Sequence, residues 1–132
     1  MLEAPLKKNI DISLLTNLIP PGDIDKEAQI KKYVKVIENK VDNNGVIVTG
    51  VLRRAILYTG IDNVGESTEV ILEDEAIFNV VFNLEDNINS KINAITKLKE
   101  SKNEGFICLG IDFGRNTAGK YFGEYIIEIT IN

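Results

Sequence analysis

The sequence contains no histidine, no tryptophan and a single cysteine, and these shortages narrow what the chain can do. Without histidine, the chain lacks the commonest general base and the commonest metal ligand. A lone cysteine, Cys108, excludes a disulfide within the chain and fits synthesis in a reducing cytoplasm. We therefore predict no catalytic residues, no cofactor, no metal site and no enzyme.

Long apolar runs and a basic surface are also missing. No stretch of about 20 apolar residues occurs, so we predict no insertion into a membrane. Residues 1–17 contain neither an uninterrupted apolar core nor a small-residue cleavage site, so no signal peptide is predicted. A net charge of -5 opposes nucleic-acid binding, because neutralising phosphates requires a basic surface.

What the chain does have is enough apolar material for one core. Its 132 residues correspond to a single domain, and 44% hydrophobic with 27% charged residues is typical of an ordered globule. Pro20-Pro21-Gly22 is the clearest linker-like sequence. We therefore divide the chain into an N-terminal extension, residues 1–22, and a domain body, residues 23–132.

The body consists mainly of short segments rich in valine, isoleucine, leucine and tyrosine. Such segments between turn signals are typical of an antiparallel β-sandwich, and about seven strands are predicted. The clearest strands cover residues 46–58, 67–84, 105–113 and 124–131. Hairpin loops are expected at Asn43-Asn44-Gly45, at residues 102–105 and at residues 114–119.

Two segments, residues 25–41 and 88–99, also carry apolar residues at helical spacing. In the first of them, Val34 and Val36 lead directly into the Asn-Asn-Gly turn. This favours a short helical turn near residues 25–30 followed by a strand from about Lys32. Helix and strand both remain open for these two segments.

Two adjacent arginines, Arg53 and Arg54, interrupt the most apolar stretch of the chain. Side chains alternate in a regular strand, so one arginine would then point into the core. A bulge at Gly50 or at the arginine pair would turn both outward, towards Glu73 and Glu75 of the next strand. The pair would then be either a solvated ion-pair patch or a polar stripe that docks another subunit, where arginine is enriched.

The stretch around the arginines resembles a known family. Residues 40–60, KVDNNGVIVTGVLRRAILYTG, are similar to the repeated core of the SPOCS domain, which occurs in clostridial spore-coat and spore-envelope assembly proteins. The resemblance extends over residues 23–131, and Ile77-Phe78 departs from a proline-phenylalanine pair that is frequent in the family. The residues that match the family's pattern are Val48, Gly50, Leu52, Ile56, Leu57 and Tyr58.

This resemblance implies a structural domain of the proteinaceous layers of endospores, with no catalytic residues. We predict a self-associating subunit of the coat or of a surface filament, made in the cytoplasm and deposited on the spore surface. Its partners would be copies of itself and other coat proteins. The alternative is a monomeric adaptor that recognises another coat protein or a cell-wall glycan. An enzyme comes third, and a pocket with converging polar groups would favour it.

The N-terminal segment is the candidate connection between subunits. Its apolar residues share one parity, so as an extended arm it could add a strand to an open sheet edge of a neighbouring molecule. The other interpretations are a first strand packed on its own domain and a disordered segment. The predicted subunit interface consists of Leu6, Ile10, Ile12, Leu14, Leu15, Leu18, Ile19, Arg53 and Arg54.

Three further features have simple interpretations. Cys108 is expected to be a small, semi-buried residue, with a crosslink between subunits as the alternative. The acidic residues 73–76 lack the ligand spacing of a calcium loop, so we predict a solvated turn there. Residues 114–123 lack the spacing of a phosphate-binding loop, which favours a flexible hairpin loop.

Overall fold

The structure is a computed structural model that describes residues 4–42, 45–84 and 91–132. This part of the chain is all-β and antiparallel, as predicted, with six strands where about seven were expected and with no helix. The strands are β1 (Leu6–Asp23), β2 (Gln29–Val41), β3 (Gly45–Ile61), β4 (Ser67–Asn83), β5 (Ala94–Asp112) and β6 (Arg115–Ile131).

The strands form two facing layers of three. In the front layer, β3 pairs with β2 on one side and with β4 on the other. In the back layer, β6 lies between β1 and β5. Gly22 of β1 pairs with Gly60 of β3, which connects the two layers at one corner into a continuous sheet. Across the sandwich, β1 contacts β4 and β2 contacts β5.

Alternation of apolar and polar residues explains why these segments are strands. In β6, Tyr125, Ile127, Ile129 and Ile131 are buried, whereas the side chains between them are partly exposed. A two-residue period places one face of a strand on the core and the other in water. These four residues therefore form the core-facing side of β6.

The buried side chains form two clusters along the sandwich. The large cluster consists of Leu14, Val46, Val48, Leu52, Phe78, Val80, Phe82, Ile92, Tyr125, Ile127, Ile129 and Ile131. The small cluster consists of Leu18, Ile56, Tyr58, Ala118 and Tyr121. On β3 the two clusters are separated by a single inward position, which Arg54 occupies.

The N-terminal segment is part of the sandwich and not an extension. β1 pairs with β6 from Leu6 opposite Ile131 to Asn17 opposite Lys120, and again at Gly22. The prediction that Pro-Pro-Gly separates residues 1–22 from the domain is therefore wrong. Pro20 and Pro21 fall in the register shift after Asn17, where the ladder requires no backbone N–H from them.

Both segments of ambiguous periodicity are strands, and β2 begins at Gln29 without a preceding helical turn. Residues 24–26 form a turn in which the Asp25 N–H donates to Asp23 Oδ1 at 3.0 Å. Helical spacing is overridden here because β3 and β6 offer a backbone partner along almost the whole length of each segment. Residues 88–90 and the predicted Asn43-Asn44 turn lie outside the described residues.

Two predicted loops also belong to strands. Residues 102–105 form a register shift inside β5, so this segment is a bulge and not a hairpin loop. The final hairpin turns at Phe113 and Gly114, whose φ angles are 53° and 74°, and β6 begins at Arg115. Two successive positive φ values are characteristic of a two-residue type I′ turn, which needs no longer loop.

Candidate functional site

The two arginines lie on a regular strand and point in opposite directions. β3 pairs with β4 without a register shift from Gly45 to Ile61, and the bulge of the front layer lies on β2, between Val36 and Glu38. The prediction that a bulge turns both arginines outward is therefore wrong. Arg53 is exposed, and Arg54 is buried with 1% of its surface accessible.

All three nitrogens of the Arg54 guanidinium donate hydrogen bonds to other side chains. Nε donates to Asp74 Oδ1 at 3.1 Å and Nη2 donates to Asp74 Oδ2 at 2.7 Å. Nη2 also donates to Thr16 Oγ1 at 3.0 Å, and Nη1 donates to Tyr125 Oη at 2.9 Å. The guanidinium carbon lies 5.3 Å from the centre of the Tyr121 ring, a favourable distance for a cation–π contact.

The chain of polar contacts continues to the opposite side of the sandwich. Tyr125 Oη donates to Glu104 Oε2, and Lys32 Nζ donates to the two Glu104 oxygens at 2.9 and 3.1 Å. The Thr16 hydroxyl donates to Asp74. Each of the six strands thus contributes one residue to what we call the polar network. Its members, in strand order, are Thr16, Lys32, Arg54, Asp74, Glu104 and Tyr125.

The surroundings keep Arg54 charged and Tyr125 neutral, because they raise the pKa of both side chains. Burial by itself would lower the pKa of Arg54, but hydrogen bonds to Asp74 and Tyr125 outweigh it and raise that pKa. Burial raises the pKa of the Tyr125 phenol, helped by Glu104 and opposed by Arg54. Burial also raises the pKa of Tyr121 to about 12. Among the described residues, no buried side-chain nitrogen or oxygen lacks a hydrogen-bond partner.

The predicted subunit interface is divided between the core and the surface. Leu14, Leu18 and Arg54 are buried, and Ile10 and Ile12 pack against the large cluster. Strand alternation turns Leu14 and Leu18 of β1 and Arg54 of β3 inward, so these three buried side chains are not available to a partner, whereas Ile10 and Ile12 are only partly buried. The remaining predicted residues are exposed: Leu6, Leu15, Ile19 and Arg53. Of these, Arg53 lies on the front layer and the other three on the back layer.

The outer face of the front layer carries an open groove that sequence analysis did not predict. Its volume is about 690 Å³, and its lining includes Lys31, Tyr33, Arg53, Glu73 and Glu75. Arg53 Nε donates to Glu75 at 3.0 Å, and Arg53 Nη1 donates to the Tyr33 hydroxyl at 3.1 Å. The sequence alone does not indicate this groove, because its lining residues come together only when β2, β3 and β4 pair in register.

The sheet edges differ in how well they are protected. β5 has two register shifts and positive φ angles at Asn103 and Cys108, and β1 contains the two prolines. β4 pairs with β3 over 17 residues without a shift and contains no proline, glycine, lysine or arginine. At its far end, the Val81 carbonyl accepts a hydrogen bond from Lys8 Nζ. β4 is therefore the straightest edge of the described structure.

The minor candidate sites do not gain support as ligand sites. Cys108 is exposed with φ 57°, so the expectation of a semi-buried cysteine is wrong. Residues 73–76 lie within β4, and residues 115–123 lie within β6, so neither segment is the predicted turn or loop. In the described ranges, no three histidine, cysteine, aspartate or glutamate side chains are grouped as metal ligands would be.

Comparison with known proteins adds no relative: no protein-family model, no curated protein and no solved structure matches the chain. The resemblance to the SPOCS domain therefore stays a prediction. The residues that the structure describes include no helix with the length and apolarity required to cross a membrane.

Proposed function

We propose that the protein is a structural subunit that associates with copies of itself through its open sheet edges. Its place, as the SPOCS resemblance implies, is an outer layer of a bacterial endospore, in the coat or in a surface filament. The polar network supports a structural role, because its side chains join residues of all six strands and its buried polar atoms have partners within the chain.

The observation that carries this proposal is the edge of β4. An edge strand presents a row of unpaired N–H and C=O groups that can template another strand, and proteins usually blunt it with bulges, proline or lysine. β4 has no bulge, no proline and no lysine over its 17 residues, and two of its four acids, Asp74 and Glu75, are neutralised by ion pairs within the chain. An edge left straight over its whole length is expected where another strand is to be added.

The N-terminal arm no longer takes part in this proposal. β1 is held by β6 through a nearly continuous ladder, so residues 6–19 are occupied within their own chain. Contacts between subunits must therefore come from edges and exposed faces of the finished sandwich. Other coat proteins would bind the same edges.

The experiment is to follow the mass of the full chain by light scattering at rising concentration, with electron microscopy of the same samples. We expect ordered polymers that grow with concentration, whereas a constant monomer mass would overturn the proposal. Ile77→Lys places a lysine on β4 and should suppress the polymers. Val64→Lys is the matched control, because Val64 is exposed to the same extent, 67% against 64%, in the loop outside the strands.

A second candidate function, a monomeric adaptor, is favoured by the groove on the front layer. Tyr33 is half-exposed there and receives a hydrogen bond from Arg53, so the groove offers one aromatic surface beside paired charges. If the chain stays monomeric, titration with cell-wall glycan fragments or coat peptides should shift the NMR resonances of Tyr33 and Arg53. Unchanged resonances would argue against this function.

A further inference from the structure

The two edges of the front layer carry opposite charges. The charged residues of β4 are all acidic, whereas those of β2 are lysines with a single acid, Glu38. Asp74, Glu75 and Lys32 are already neutralised by ion pairs within the chain. In the described part of the chain, the exposed charges of the two edges that form no ion pair include Glu69 and Glu73 on β4 and Lys31, Lys35 and Lys40 on β2.

These edges lie at opposite ends of the layer, because β3 separates β2 from β4. Contact between two β4 edges would bring acids against acids, and contact between two β2 edges would bring lysines together. Like charges placed opposite each other across strands are destabilising, whereas unlike charges favour pairing. Charge therefore selects contact between β4 of one copy and β2 of another.

We propose that β4 of one copy pairs with β2 of a second copy, so that the front layer continues from chain to chain. This inference rests on the proposed self-association and adds which edges meet. The contact joins two different surfaces, so each copy keeps one free edge of each kind and the assembly grows as an open filament.

The backbone limits where the pairing occurs. Lys8 already binds the Val81 carbonyl, so the available part of β4 is its N-terminal portion, which contains Glu69 and Glu73. The bulge of β2 lies between Val36 and Glu38, so its regular part is residues 29–36, which contains Lys31 and Lys35. Because β2 and β4 both run antiparallel to β3, they run parallel to each other. Copies related by translation would therefore join through a parallel pair, with every front layer facing the same side of the filament.

Salt dependence is the first consequence of this arrangement. The charges involved are exposed, and the screening length falls from about 10 Å at 0.1 M salt to about 3 Å at 1 M. We expect polymers to form at lower protein concentration in low salt than in high salt. Assembly that strengthens with salt would contradict the inference, because apolar contacts would then dominate.

Charge reversal provides the decisive test. Lys31→Glu with Lys35→Glu gives a chain with two acidic edges, and Glu69→Lys with Glu73→Lys gives a chain with two basic edges. Each variant alone should need at least about tenfold more protein to polymerise. An equimolar mixture should polymerise like the wild type, because unlike edges meet again. Light scattering and electron microscopy provide the readout, and circular dichroism verifies the fold of each variant.

The matched control carries the same change of charge away from both edges. Lys26 lies in the turn between β1 and β2, and Lys91 precedes β5; both are exposed. Lys26→Glu with Lys91→Glu should polymerise like the wild type.

The outcomes separate this inference from the proposed function. If the wild type and both folded variants polymerise equally, the pairing of β4 with β2 is wrong while self-association stands. If the mixture of folded variants fails to polymerise, the inference is also wrong. If the wild type stays monomeric at every concentration, the proposed function and this inference fail together.

Discussion

The large and small clusters of the core differ in chemistry. The large cluster is almost entirely aliphatic and phenylalanine, and its tyrosine, Tyr125, belongs to the polar network. The small cluster includes Tyr58 and Tyr121, and it lies near the proline bulge of β1 and the corner where Gly22 meets Gly60. Irregular strands leave backbone groups without ladder partners. The Pro20 carbonyl is one, and it accepts a hydrogen bond from Tyr58 Oη at 2.8 Å.

The polar network between the clusters specifies the alignment of the strands. A buried ion pair adds little stability over a well-packed apolar substitute, because both charges lose their hydration. Shifting a strand by one residue, however, moves its side chains to the opposite face. Since each strand contributes one network residue, such a shift in any strand would remove one partner from the network. The network thus favours a single register for all six strands.

The largest loss of stability is expected when Arg54, the arginine between the two clusters, is removed. Arg54→Met removes the ion-pair partner of Asp74 and the donor to the Tyr125 hydroxyl, and it leaves Asp74 with the Thr16 hydroxyl as its donor. We expect the free energy of unfolding to fall by about 3–5 kcal/mol, measured by urea denaturation. Arg53→Met is the control, because that side chain is exposed and its pair with Glu75 contributes at most about 1 kcal/mol.

The double variant sharpens this result. Arg54→Met with Asp74→Leu removes both charges and should recover part of the lost stability, because no uncompensated buried charge remains. A single variant that costs less than about 1 kcal/mol would contradict the view that the network holds the two clusters in register.

A smaller loss of stability is expected when a methyl group is added next to the polar network on the back layer. Gly123 lies between Tyr121 and Tyr125 on the inner face of β6, and a Cβ there would collide with the Tyr125 hydroxyl and lie 3.0 Å from Arg54 Nη1. Gly123→Ala should destabilise by about 1–3 kcal/mol in thermal or urea unfolding.

Glycine on β5 provides the matched control for this substitution. A Cβ at Gly105 would have no heavy atom within 4 Å. Gly105→Ala should therefore change stability by no more than about 0.5 kcal/mol. Equal losses for the two variants would indicate a backbone effect in place of a collision with the network.

Local alternation predicted the parts of the fold that depend on one strand at a time. The all-β class and the strands near residues 46–58, 67–84 and 124–131 follow from the two-residue period and the apolar composition of these segments. The same period contains the signal for Arg54, since Leu52, Arg54 and Ile56 share one parity on β3. A charged residue at an inward position instead predicts a bulge that turns it outward, because the sequence does not reveal the partners that allow its burial.

Asp74 lies directly opposite Arg54 in the β3–β4 ladder, so identifying it requires the exact register of that hairpin. Tyr125 and Glu104 could not be predicted, because they belong to the other layer and join the network only after the layers have stacked. The proline boundary failed for a related reason. Proline removes a ladder donor, but β1 has extra residues at its register shift, so the strand can continue past Pro20 and Pro21.

The smallest change in stability is expected for a variant that removes a polar group from the small cluster. Tyr58→Phe removes the hydrogen bond to the Pro20 carbonyl and should cost about 0.5–1.5 kcal/mol at neutral pH. Burial raises the pKa of Tyr58 from 10.0 to about 12. Below pH 10 the phenol is neutral in the folded and unfolded chains, so its contribution is complete. As pH rises from 10 towards 12, the unfolded chain ionises first and stability is lost.

The variant should therefore lose less stability than the wild type over this alkaline range. Urea midpoints at pH 8 and pH 11 measure the difference, and the slope that remains in the variant includes the part due to Tyr121, whose pKa burial also raises to about 12. If Tyr58→Phe follows the wild type between these pH values, the phenol is reached by water and the small cluster is less dry than its burial indicates.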